Sequence, residues 1–278
     1  MDRVPLLLID HVCHQLKLIA MSQVAQLSGN WSTTGSVHDE KRRDLDFVCK
    51  VEGESVSYCF LYANGLHDSL RLTVRELNLA YDKITHVASG WKFLVSSSTT
   101  HQVSLDEIKR DVLPIVALLT SNCYIEYAGP VESGQSQLFF QAFKKCPGFV
   151  SISGETQSLE EIDFLAQQVD YGNIKEIFLS RGERSLHENE KLAETLERFV
   201  RSTRFHYLSA RGPLPNDFKM MALFLERALA GKLKSGATIS NVGATPDNDQ
   251  RCNHPVFKQQ LLPPKQLVQL ASGRFSDG

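Results

Sequence analysis

Few side chains in this sequence stand at spacings that do chemistry, and each can be weighed against what its chemistry needs. His11 and His14 are three residues apart, which puts two imidazoles on one helix face as paired metal ligands require. Besides Asp10 they have no nearby Cys, Asp or Glu pair, so two surface or interface histidines are the better reading. His187-Glu188 opens like a zinc-protease helix, but Lys191 stands where the second histidine must be. Gly231-Lys232-Leu233-Lys234-Ser235-Gly236 carries the letters of a phosphate loop in the wrong order. Ser133-Gly134 and Ser153-Gly154 are loop punctuation, since no Gly-x-Ser-x-Gly elbow surrounds them. The expectation is a chain with no metal, no cofactor and no catalytic group. The alternative is an α/β enzyme with a loop-borne site, using residues such as Glu126, Glu155 or His187 beyond the strand ends.

The elements behind these residues fall into three parts: 1–44, 45–231 and 232–278. Pro5 suits the first turn of a helix, and Leu6, Ile9, Val12, Cys13 and Leu16 then recur at helical steps. A second short helix carries Ile19, Val24 and Leu27, with Gly29 as its stop. Thr33 to Lys50 is polar and charged, so no third helix is predicted. Lys41-Arg42-Arg43, flanked by Asp39-Glu40 and Asp44, reads as a solvated face. A strand-rich stretch follows: Phe47-Val48-Cys49 and Val56 to Tyr62 around a turn at Glu52-Gly53-Glu54, then Leu70 to Arg75 in strand alternation, then Ile84 to Val87.

Farther on, capping boxes at Ser104–Glu107 and Ser158–Glu161 start helices, with Asn189 and Asn216 as further N-caps. Short apolar runs begin at Tyr124, Phe149, Ile177 and Phe205, in nearly equal steps that fall in the leucine-rich-repeat range. That period predicts an α/β fold: an N-terminal helical hairpin, a small β-rich segment, then degenerate leucine-rich-repeat-like strand–helix units with a parallel sheet. A compact α/β domain fits the same alternation. Phe139, Phe140 and Phe143 make one helix face and are assigned to the core. In a repeat, the non-core strand positions meet partners, which singles out Glu126, Ser151, Ser153, Glu176, His206 and Ser209. The segment after Gly231 reads as linker and tail.

With 278 residues, 42% of them hydrophobic, the chain can bury a sizeable core, and a net charge of −2 argues against nucleic acid or a membrane surface as partner. No apolar run is long enough to span a bilayer. The six cysteines form no C-x-x-C pair and sit among apolar residues, as buried thiols do in the cytoplasm or nucleus.

The opening Met1-Asp2-Arg3-Val4-Pro5-Leu6-Leu7-Leu8-Ile9-Asp10, with Leu27-Ser28-Gly29-Asn30-Trp31 downstream, resembles a nematode-expanded group of F-box-like proteins. The resemblance implies a degenerate F-box followed by a substrate-recognition region, and a Skp1-type adaptor and a substrate protein as partners. It also implies that Pro5, Leu6, Ile9, Val12, Leu16 and Trp31 contact the adaptor in a cullin–RING ubiquitin ligase. The Cys-Arg pair usual before the Trp is absent. The competing expectation is that the hairpin caps the repeat's first apolar face. An adaptor surface must be exposed in the free chain, whereas a cap is buried.

Overall fold

The computed structural model describes residues 4–16, 18–63, 69–70, 72–90, 100–128, 135–155, 158–180, 186–211 and 217–242. They form an α/β fold in two units, Met1–Gly129 and Pro130–Gly278.

The first unit begins with α1 (Leu6–Gln15), a 3₁₀ turn at Leu18–Ala20, α2 (Met21–Ala25) and α3 (Asn30–Lys41). Strands β1 (Asp44–Glu52) and β2 (Ser55–Tyr62) form the expected hairpin, with Gly53 at φ 62° in its turn. After β3 (Ser69–Leu70) come β4 (Lys83–Gly90), β5 (His101–Ser104), α4 (Leu105–Glu107), a π-helical segment Ile108–Val112, α5 (Leu113–Leu119) and β6 (Thr120–Ala128). β1, β4 and β6 run parallel in the order β6-β4-β1, and β2 lies antiparallel on β1 with β3 and β5 on its other edge.

Two sequence expectations are corrected here. Of the alternating residues Leu70 to Arg75 that the structure describes, only Leu70 lies in a strand, at the end of β3. Beyond it, Val74–Glu76 is a 3₁₀ turn, because Thr73 and Glu76 close a capping box that diverts the backbone. The polar run after Thr33 does hold a third helix, α3, and Gly29 launches it at φ 64°. Its inward stripe is Trp31, Gly35, His38 and Arg42, at helical spacing but not composed of aliphatic residues. Gly35 lets α3 lie against α2: a Cβ there would stand 2.8 Å from the Ala25 nitrogen.

The second unit is regular: α6 (Gln135–Phe143), β7 (Phe149–Glu155), α7 (Leu159–Tyr171), β8 (Glu176–Ser180), α8 (Leu186–Arg201), β9 (Tyr207–Arg211), α9 (Asp217–Leu229) and β10 (Thr238–Val242). Strands β7 to β10 are parallel and lie in chain order. Right-handed crossovers in one direction put every connecting helix on one face. That face holds the core. Ile152, Ile177, Leu208 and Ile239 share a row and are buried with Leu165, Leu196 and Phe224 from the helices. Phe139, Phe140 and Phe143 join this core, with Phe140 packed on Phe164 at 5.0 Å.

The helices begin and end where local chemistry dictates. Ser158 and Glu161 form the full capping box of α7, and Gly172 closes that helix in the left-handed region at φ 73°. Asn189 lies inside α8, which starts earlier, and Asn216 lies outside the described residues. Gly231 ends α9 through paired bonds from its own N–H to Ala228 and from Lys232 to Arg227, a Schellman closure. The glycines of the phosphate-loop lookalike therefore serve helix and turn geometry, Gly236 at φ 79° included.

Gly35→Ala should destabilise the first unit by about 1–3 kcal/mol, because the added methyl meets backbone that cannot yield. Chemical denaturation of the variant against the parent checks this, and an unchanged midpoint would contradict the close packing of α2 and α3.

Candidate functional site

Within the first unit, the N-terminal helices bury one face and leave another open. Ile9, Cys13, Met21 and Val24 make a small core, with Leu16 and Trp31 packed against it. Of the six residues that the F-box resemblance implies, Ile9 is fully buried, Val12, Leu16 and Trp31 are half-buried, and Pro5 and Leu6 are exposed. Three other large apolar side chains are more open than sequence reasoning anticipates: Leu7 at 84%, Leu8 at 51% and Ile19 at 82%.

A polar lock holds these helices to the strands. Arg42, its side chain fully buried, donates from Nε to Asp44 at 2.8 Å and from Nη1 to the Cys13 carbonyl at 2.9 Å. Buried His38 pairs through Nε2 with Asp10 at 2.8 Å. Arg43 grips the buried Asp82 carboxylate with two bonds, at 2.7 and 2.6 Å. The reading of Lys41-Arg42-Arg43 as a solvated face is thus corrected: Lys41 alone is exposed, lying over the Tyr81 ring. His14 packs edge-on to His38 at 5.5 Å, whereas His11 is exposed, so the two do not converge. Burial, with His38 and Arg42 nearby, holds His14 below its ordinary pKa. No group of three potential metal ligands is found among the described residues.

The sheet of the first unit presents a cluster that sequence reasoning misses. Register shifts between Leu45 and Asp46 and between Ile84 and His86 make the ladder bulge, and Asn122 adopts φ 48° in β6. Bulges re-aim side chains. The result is one row of Asp46, His86 and Tyr124, with Glu126 in the next row of the same face. His86 Nδ1 lies 3.8 Å from Asp46, Nε2 lies 3.7 Å from Glu126, and the ring stacks on Tyr124 at 4.9 Å. These distances exceed a short hydrogen bond, so the attraction is between charges. Burial works against the charged imidazole, yet the two carboxylates outweigh it and push the pKa up to about 9. A histidine that stays cationic at neutral pH is an ion-pair partner, not a general base.

The second unit leaves the sheet face opposite its helices open. Ser151, Glu176, Tyr207 and Thr238 form one row there, and Ser153, Phe178, Ser209 and Ser240 the next. Ser153, Glu176 and Ser209 are partly exposed in these rows, and His206, also partly exposed, precedes β9 and belongs to neither row. Ser151 is the correction: at 6% exposure its short side chain sits below its longer neighbour Glu176, and its hydroxyl has no hydrogen-bond partner among the described residues. Phe178 and Tyr207 escape the sequence reading. They are partly exposed and pair across strands with ring centres 5.0 Å apart. Strand alternation is the signal that could have found them.

The five described cysteines are buried. Burial pushes Cys49 up to about 12 and Cys59 up to about 11, which makes them packing groups instead of nucleophiles. No described helix is long and apolar enough to cross a membrane. The side chains of Glu155 and His187 lie outside the described residues. Among known proteins, no family model matches this chain, and neither a curated protein nor a solved structure is similar to it.

The His86 cluster has a defined pH signature. Its folded pKa of about 9 exceeds the ordinary 6.5, so its stabilisation is complete below about pH 6.5 and is lost as pH rises through 9. NMR titration of the imidazole should find the midpoint near 9. In the Asp46→Asn/Glu126→Gln double variant both carboxylates that hold the proton are gone while burial still opposes it, and the midpoint should fall well below 9. A parent midpoint near 6.5 would refute the ion-pair arrangement.

Proposed function

We propose that this chain is a non-catalytic adaptor that binds other proteins, acting as the substrate-recognition subunit of a Skp1–cullin–F-box-type ubiquitin ligase in the cytoplasm or nucleus. The observation that carries the reading is the exposure of Leu6, Leu7, Leu8, Ile19 and Leu27 within one short three-helix segment. Exposed apolar side chains that form a contiguous patch mark interaction sites. The capping alternative asks for the opposite, since a cap would turn these side chains inward. The third helix supports the same reading, because an F-box is a three-helix element and α3 supplies what the polar sequence concealed. Burial of Ile9 moves the expected contact outward, to Leu6, Leu7 and Ile19.

The second half of the reading is the recognition region. Sequential parallel strands with helices on one side leave a broad open face, the feature by which repeat proteins engage partners. A doubly wound sheet would instead reverse its strand order and bind a small ligand at the reversal. Among the described residues of the second unit no such reversal exists.

The test is binding of a purified Skp1-type adaptor by calorimetry, with melting followed in parallel. Leu7→Asp/Ile19→Asp should abolish adaptor binding while changing stability by no more than about 0.5 kcal/mol per site. Ile9→Asp should instead lower the melting temperature sharply, since it buries an unpaired carboxylate. If the parent chain ignores the adaptor, the ligase half of the proposal is lost.

A further inference from the structure

Resting on the protein-binding reading above, we infer that the open sheet face of the second unit recognises an arginine side chain in its partner, held between the Phe178–Tyr207 pair and the Glu176 carboxylate. Three observations converge on this. Glu176 and Tyr207 are direct neighbours in the β8–β9 register, and Phe178 pairs diagonally with Tyr207, the two rings tilted by 34° with centres 5.0 Å apart. All three side chains are partly exposed. No ion pair involves Glu176 among the described residues, and the positions around it on this face, Ser153, Ser209 and Ser240, are hydroxyls.

A carboxylate beside two partly exposed aromatic rings, with no ion-pair partner among the described residues, is complementary to one type of side chain. Guanidinium is planar and weakly hydrated, so it stacks on a ring while its edge donates to a carboxylate. Ammonium is a compact, strongly hydrated point charge and gains less from the rings. The surrounding hydroxyls can accept the guanidinium's remaining N–H groups without adding a competing charge. Aromatic anchors of this kind bring large contact area at low entropic cost, which is why they dominate recognition surfaces.

The experiment uses the full chain and a synthetic library of short extended peptides whose central position is fixed as arginine, lysine, citrulline or norleucine. The arginine pool should be retained about tenfold better than the citrulline pool, a difference of roughly 1.4 kcal/mol. Lysine should fall between them. Glu176→Gln should remove most of that preference while keeping the melting temperature. Tyr207→Ala should lower retention of the arginine pool more than that of the lysine pool. If Tyr207→Ala unfolds, Glu176→Gln alone still decides, because it changes one exposed oxygen to nitrogen. Equal retention of arginine and citrulline pools overturns the inference, as does an arginine preference that survives Glu176→Gln. Adaptor binding by the Glu176→Gln variant separates the two proposals: it persists when only the arginine site is wrong, and is absent in the parent when the ligase reading is wrong.

Discussion

The organisation of the second unit depends on one constraint, the fixed hand of the strand–helix–strand crossover. Strands β7 to β10 follow one another in space as they do in sequence. Each crossover is then obliged to place its helix on the same side. All the apolar face of α6 to α9 is therefore available to one face of the sheet, and the other face receives none of the described helices. The repeat period propagates to the surface as well. Asp163 pairs with Lys191 and Asp170 with Arg198, each pair one repeat apart on neighbouring helices. These exposed pairs contribute little stability individually. They fix helix register, and the Phe199–Phe205–Phe224 contacts beneath them supply the burial.

The first unit solves a different problem by different means. Its N-terminal helices offer too little apolar surface to hold themselves in place, since only Ile9, Cys13, Met21 and Val24 make up their buried cluster. Attachment falls to charge. Arg42 reaches from the end of α3 to a carbonyl of α1 and a carboxylate of β1, so one guanidinium ties three elements. Removing one partner of such a buried pair leaves an uncompensated charge, which typically costs about 3–5 kcal/mol. The arrangement leaves His38 Nδ1 and Arg42 Nη2 buried without hydrogen-bond partners among the described residues. A segment fastened by polar contacts along one edge can present its apolar side chains elsewhere, and Leu7 and Ile19 face outward for that reason.

How much of this is legible in the sequence follows from which force sets each element. The parallel units are readable because burial dictates them: a buried strand and an amphipathic helix each leave a period, and the step from Phe149 to Ile177 repeats from Ile177 to Phe205. The capping box at Ser158 is readable because it is local. α3 is not, since its inward stripe of Trp31, Gly35, His38 and Arg42 carries no aliphatic period, and its partners lie in α1, α2 and β1. The same holds for Asp46, His86 and Glu126, which come from three strands far apart in the chain. Register shifts bring them together, and such bulges leave no mark in composition. Phe178 and Tyr207 are hidden for a subtler reason: period two places them on the open face, but aromatic residues in a short run invite assignment to the core.

The two kinds of side-chain cluster on the sheets also bear on what sort of function the chain can have. Catalysis by general acid and base needs groups whose pKa lies near the working pH, so that both protonation states are within reach. The Asp46–His86–Glu126 trio does the reverse, since two flanking carboxylates fix the imidazole in one state across the neutral range. Such a group orders a surface and sets its charge. The buried Cys49 and Cys59 thiols are likewise held protonated, far above neutral pH. What the second unit leaves exposed is of another kind again: hydroxyls, one carboxylate and two rings on rigid parallel strands. Side chains set on strands lose little freedom when a partner arrives, so their binding energy is not spent on ordering.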